Sequence, residues 1–265
     1  MRIGVFDSGL GGLSVLRAIR QELPDASLHY VADSAWVPYG PRGEEFIQLR
    51  SRTLAHFLAE HGADIIVVAC NTATAAAVPT LRESLGAPVV GMEPAVKPAT
   101  AATRNGKVGV LATVGTLQSA RFAALLDQFG AGIEVLTRAC PGLVEQVEAA
   151  ELDSPRTRAL VEQYTAPLLR AGVDTLVLGC THFVFLRPMI EAVAGPGITV
   201  IDTGAAVARQ VRLVADSLGS TFARASGVEF WTSGDVGRLA EPLNTLWGER
   251  VVLSVLPGEY AGQTA

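Results

Sequence analysis

No stretch of this chain reaches the roughly 18 consecutive apolar residues that a membrane-spanning helix needs. The opening residues MRIGVF read at once as a strand, without the charged segment and apolar run of a secretion signal, so the expected location is the cytoplasm. Aromatic residues are sparse at 6%, no tract of Lys or Arg is interleaved with them, and the net charge is −5. That composition lacks the basic footprint of a nucleic-acid binder. Cysteine is scarce as well. Cys70, Cys140 and Cys180 are odd in number and widely spaced, which argues against a disulfide framework or a zinc knuckle. There is no P-loop signature, no dinucleotide fingerprint and no G-x-S-x-G elbow. Nucleotide and serine-hydrolase chemistry therefore lose their usual signals, and neither a cofactor nor a metal is expected.

What the chain does have is Ala, Val, Leu and Gly, the composition of buried parallel strands flanked by helices. Its 265 residues allow one or two domains. It also repeats itself. GADIIVVACNT (Gly62 to Thr72) and GVDTLVLGCTH (Gly172 to His182) share a Gly-x-Asp start, an apolar run, a Cys and a polar pair, about 110 residues apart. IGVFDSGLGG from Ile3 matches VGVLATVGT from Val108, and PVVGMEPAV from Pro88 matches TVIDTGAAV from Thr199, at offsets of 105 and 111. A period of that size is too long for a solenoid and fits two duplicated α/β domains.

Strand and helix patterns alternate along both halves. Strands are expected at Arg2 to Phe6, Leu28 to Ala32, the first Cys run and Val89 to Met92. Helices are expected at Leu13 to Glu22, Glu44 to Glu60 and Thr72 to Leu85. The plan recurs from Lys107 to Thr203, followed by a helix from Ala205 to Leu218 and a strand-rich tail at Val228 to Thr232 and Val251 to Val255. The tail has no counterpart in the second half and is expected to return to the first. The expected architecture is two similar doubly wound parallel-sheet domains related by a pseudo-twofold axis, with the site in the cleft between them. Residues 1–97 with 208–265 form the first domain, and residues 98–207 the second, inserted one.

In open parallel sheets ligands bind beyond the carboxyl ends of the strands, which is where both repeated cysteines fall. Two thiols at matched positions suggest a pair facing one site. Asn71-Thr72 and Thr181-His182 follow them where helices begin. They serve as caps, or as the lip of two helix N-termini able to hold carboxylates. His182 beside a thiol can lower its pKa or carry its proton. Asp7 to Gly12, a glycine-rich strand-to-helix turn, reads as an anion site or as an ordinary turn capped by Asp7 or Ser8. Tyr39, in Pro38-Tyr39-Gly40, either donates to a ligand or packs the loop. Glu148 either reaches the cleft or lies on a solvated helix face. Cys140, without a repeat partner, reads as packing, and His29, His56 and His61 as structural. Two acid–base groups on opposite faces of one carbon are what stereoinversion by proton transfer requires, and a thiol titrates near enough to neutrality to serve in either state.

FDSGLGG, PYG, ACNTAT, GMEPAVKPA, LATVGT, CPGLV and LGCTHF occur in an order and spacing that resemble the bacterial glutamate racemases over essentially the whole chain. These belong to the wider cofactor-independent aspartate/glutamate racemases. The resemblance implies interconversion of L- and D-glutamate, supplying D-glutamate for peptidoglycan, in a cytoplasmic homodimer. It implies that Cys70 and Cys180 are the proton donors and acceptors, the first working on D-glutamate and the second on L-glutamate. Asp7 would support Cys70 and His182 would support Cys180. Asp7, Ser8, Tyr39, Gly40, Asn71, Thr72, Thr181 and His182 would bind substrate or assist. Glu148 matches an acidic residue near the family's site, and Thr113 and Thr116 match a substrate-contacting loop. The chain lacks the N-terminal extension of enterobacterial members that need a cell-wall precursor as activator, so no such activation is expected. A racemase of another amino acid, such as aspartate, and a non-catalytic amino-acid-binding protein are the competing readings.

Overall fold

The computed structural model describes residues 1–219 and 227–262. Its first half runs β1 (Arg2–Asp7), α1 (Leu13–Glu22), β2 (Ser27–Ala32), α2 (Glu44–Glu60), β3 (Ile65–Val68), α3 (Asn71–Ser84), β4 (Val89–Val90) and α4 (Val96–Ala102). The second half runs β5 (Lys107–Ala112), α5 (Val114–Gln118), α6 (Ala120–Phe129), β6 (Glu134–Ala139), α7 (Leu143–Glu148) and α8 (Pro155–Arg170). It continues through β7 (Thr175–Leu178), a 3₁₀ turn (Thr181–Leu186), α9 (Arg187–Ala194), β8 (Thr199–Ile201) and α10 (Gly204–Ser217). The chain then adds β9 (Val228–Thr232), α11 (Val236–Trp247), β10 (Leu253–Val255) and α12 (Gly258–Ala261).

Two parallel sheets result, ordered β10-β9-β2-β1-β3-β4 and β6-β5-β7-β8. The internal repeat is visible in the strand order: β2-β1-β3-β4 and β6-β5-β7-β8 are the same arrangement. In each, the connection reverses direction beside the central strand, and the crevice at that reversal is where such sheets bind ligands. Cys70 ends the run from β3, and Cys180 the run from β7. β9 and β10 join the first sheet at β2. The central strands carry unbroken apolar runs because both of their faces are covered: β3 and β7 are buried at all four positions.

The halves are bound by an exchange of helices. α4 follows β4 of the first sheet, but Val96 and Ala99 join a buried cluster with Val108, Val110, Phe122 and Val177 of the second half. α10 follows β8 of the second sheet, but Val207, Val211 and Ala215 share a cluster with Leu16 and Ile19 of α1. Arg212 of α10 also donates to the Glu22 carboxylate at 2.8 Å. Each buried Val contributes about 1.5–3 kcal/mol on leaving water, so both crossings resist separation of the halves.

The strand-rich tail also carries a helix that was not expected. α11 lies between β9 and β10 despite the interior Pro242. Leu239, Leu243, Leu246 and Trp247 bury one face, Asp235 caps the start by accepting from the Arg238 N–H, and Gly248 closes the end at φ +89°.

Candidate active site

Both cysteines occupy the residue just before a helical segment, in extended conformation. Cys70 has φ −140° and Cys180 φ −142°, so the repeat holds at the level of the backbone. The helical segments themselves differ: Cys70 opens the 14-residue α3, whereas Cys180 opens the 3₁₀ turn. The α3 N-terminus turns an amide toward the sulfur, with Ala73 N–H donating to Cys70 Sγ at 3.4 Å. The thiol in turn reaches Ser8 Oγ at 3.9 Å, and Ser8 reaches Asp7 Oδ1 at 3.4 Å. Asp7, at the end of β1, is fully buried and accepts the Gly12 N–H at 2.7 Å. Burial raises the Asp7 carboxyl above its usual range, with the charge of His182 opposing. Burial, aided by the nearby Asp7, pushes the Cys70 thiol well up, against the pull of the Ala73 amide. That direction favours the protonated thiol.

The Cys180 side is built differently. His182 Nδ1 lies 3.7 Å from Cys180 Sγ, and His182 Nε2 lies 2.6 Å from Glu148 Oε1. Burial alone would push the imidazole down, but its bonds to Cys180 and Glu148 outweigh that and hold it well above its ordinary value. Those bonds favour the protonated ring, while the Gly11 N–H also points at Nε2 at 3.2 Å. The same Glu148 oxygen accepts the Leu10 N–H at 2.6 Å. The glycine-rich turn thus does hold an anion, and the anion is the protein's own carboxylate, delivered from α7 of the other half. Its glycines make room for this contact. A Cβ on Gly9 would stand 2.1 Å from Glu148 Oε1, and one on Gly11 would stand 2.2 Å from His182 Nδ1.

Ser8, Cys70, Asn71, Thr72, Cys180 and His182 line one narrow cavity. Pro38, Tyr39 and Gly40 form one wall, and Thr113, Thr116 and Thr181 complete the polar lining. Both amide atoms of Asn71 are buried without a partner, which leaves one donor group and one acceptor free at the cavity. Thr72, Thr113 and Thr116 close a triangle of hydroxyls, with sides of 2.9, 3.2 and 2.9 Å, that bridges the two halves. Asp7 and Glu148 stand outside the lining and contact Ser8 and His182, which belong to it. Tyr39's hydroxyl donates to Asp33 Oδ2 at 2.5 Å. Cys140 is buried, and its thiol points to the Arg138 carbonyl at 3.4 Å.

Sequence reasoning passed over Asp33 and Arg50, which back the Tyr39 wall, and Val144 and Gly179 in the lining. Gly179 precedes Cys180 in the repeat and could have been read from it. Val144 sits in CPGLV, one turn before Glu148, without a chemical group to mark it.

A family model described as "Asp/Glu/Hydantoin racemase" matches residues 3–211. A curated relative from Stutzerimonas stutzeri, named glutamate racemase, is 54% identical over 96% of this chain and 97% of its own. Among solved structures, glutamate racemase of Bacillus anthracis is similar at 33% identity, with a TM-score of 0.87 over 97% of each chain. That of Escherichia coli, in complex with L-glutamate and the activator UDP-MurNAc-ala, is similar at 34% identity, with a TM-score of 0.88 over 96% of this chain and 97% of its own.

Proposed function

The chain belongs to the Asp/Glu/hydantoin racemase family, and from that premise we propose that it interconverts L- and D-glutamate by proton transfer between two thiols. The observation that carries this reading is the single cavity lined by Cys70 and Cys180, one from each half, with unlike acid–base partners. From L-glutamate, Cys180 as thiolate removes the α-proton while the His182 imidazolium and Glu148 take up the balance of charge. Cys70, as a thiol backed by Ser8 and Asp7, delivers its proton to the opposite face. The reverse direction exchanges the roles. The substrate carboxylates are held by neutral donors: the Asn71 amide, the hydroxyls of Ser8, Thr72 and Thr181, and backbone N–H groups beside Gly40 and at the start of α3. Helix N-terminal amides favour the negative charge that develops as the α-carbon loses its proton. Thr113 and Thr116 bring the second half to the same ligand.

The product, D-glutamate, serves peptidoglycan synthesis, and the enzyme works as a cytoplasmic homodimer. The family resemblance supports these assignments, and no helix among the described residues is long and apolar enough to cross a membrane. The strand membership of the two sheets supports a division into residues 1–97 with 208–265 and residues 98–207. The test is decay of the circular dichroism of L-glutamate on adding the protein, after dialysis against EDTA and without added pyridoxal phosphate. Decay to zero is expected. Activity on aspartate alone, or binding without decay, overturns the assignment.

A further inference from the structure

The cavity wall at Pro38–Gly40 belongs to no helix or strand, yet Tyr39 is only 1% exposed. What fixes it lies outside the cavity lining. Tyr39 donates to Asp33, and Asp33 is gripped by the Arg50 fork, with Nε at 2.9 Å from Oδ2 and Nη2 at 2.7 Å from Oδ1. A carboxylate with no exposed surface is costly unless paired and fully hydrogen-bonded, and here the third bond comes from the wall itself. Burial and the Asp33 charge hold the Tyr39 phenol well above its usual value, so it remains a donor.

Arg50 is held in its turn. Its Nη2 also donates to the Tyr260 carbonyl at 2.9 Å, and Trp36 Nε1 donates to the Ala261 carbonyl at 3.3 Å. The guanidinium carbon lies 5.8 Å from the Trp36 ring centroid. Gly262, at φ +79°, comes so close that a Cβ would stand 2.9 Å from Arg50 Nη1 and 3.3 Å from Trp36 Cζ2. The segment Pro257–Gly262 is hooked over the far side of the pair.

We infer that Arg50, locked by the Pro257–Gly262 hook, is a positioning residue for the substrate-binding wall, acting through Asp33 and Tyr39. The inference rests on the glutamate reading above. Arg50 touches no reacting atom. Its fork holds Asp33 correctly turned, Asp33 accepts the phenolic hydrogen bond, and the fixed ring sets where Pro38 and Gly40 meet the ligand. Lysine, a point charge on a flexible stem, cannot reproduce a two-pronged grip.

The experiment measures kcat and KM for both enantiomers in Arg50→Lys, Trp36→Phe, Gly262→Ala and Tyr39→Phe, and in the Arg50→Lys/Tyr39→Phe double variant. Arg50→Gln leaves a buried carboxylate alone and can cost the fold, so the milder variants carry the test. KM is expected to rise about 3- to 10-fold, the loss of one or two ordinary hydrogen bonds, with kcat nearly unchanged. The double variant should be no worse than its worse parent, because both act on one linkage. Multiplying effects, a fall in kcat at constant KM, or no change in KM overturns the inference. A wild-type protein inactive on glutamate would instead overturn the assigned reaction.

Discussion

Cys70 and Cys180 sit in matching loops but in unlike company. One has an amide, a serine and a buried aspartate; the other has an imidazole backed by a carboxylate. The third cysteine has neither. Burial pushes the Cys140 thiol far up, and its contact is a backbone carbonyl. Cys140→Ala should therefore keep most of the turnover, whereas Cys70→Ala and Cys180→Ala should each lose at least about 10²-fold in kcat/KM, a usual worth for a positioned acid–base group. Equal damage in all three would remove the distinction. Asp174, in the second Gly-x-Asp, belongs to stability and not to the site. Burial opposes its charge, but the Thr103 hydroxyl and the amides of Arg104 and Asn105 outweigh this and hold it at about 2. A pKa below the unfolded value of 3.8 means that this stabilisation is fully present above pH 3.8 and is lost as pH falls toward about 2. Asp174→Asn should cost about 1–3 kcal/mol at neutral pH by urea unfolding, with the gap to wild type closing in acid.

The thiols were legible because a repeat gave each a reference point, and a Cys at a strand end is a chemical mark. Asp33 and Arg50 were not. They lie 17 residues apart, in a loop and a helix that look ordinary, and the Tyr260 carbonyl that completes them comes from 210 residues away. Tyr39 was marked by its loop, but its hydroxyl's true partner depended on that hidden pair.

At the scale of the element, the β1–α1 turn carries more of the site than its own side chains suggest. Its glycines and helix N-terminus allowed an anion site or an ordinary capped turn, but nothing local could say that Glu148, 138 residues on, would fill it. Gly11 is the sharpest probe of that packing. His182 is buried at 2% exposure and tied at both ring nitrogens, so a Cβ at 2.2 Å must displace it. Gly11→Ala is expected to cost about 10²-fold in kcat, as misplacement of about 1 Å does, while far-ultraviolet dichroism stays native. Normal turnover in that variant would show that the contact is dispensable. α11 was hidden in a different way. Its apolar residues recur at i, i+4 and i+7, but Pro242 and the flanking strand patterns masked the helical period.

For the whole molecule, duplication explains both the architecture and the chemistry. The two similar halves were readable from three aligned segments, because parallel strands write themselves as apolar runs, but their strand order was not. The exchange of α4 and α10 was not, since an amphipathic helix reveals that it has a buried face but not which sheet covers it. That exchange, with the threonine triangle, holds the two cysteine loops in register around one cavity. In the proposed mechanism a thiol from each half approaches the α-carbon from its own side.

Incorporation of solvent deuterium tests this most directly. The reaction is started separately from L- and from D-glutamate in D₂O, stopped at low conversion, and the α-deuterium of each enantiomer is measured. With one thiol per face, the product acquires deuterium as it first forms, because the delivering thiol carries a solvent-derived deuteron. The remaining substrate stays mostly protiated. Substantial original hydrogen in the product would mean that one base serves both faces, and it would contradict the two-thiol account even if both cysteines proved essential.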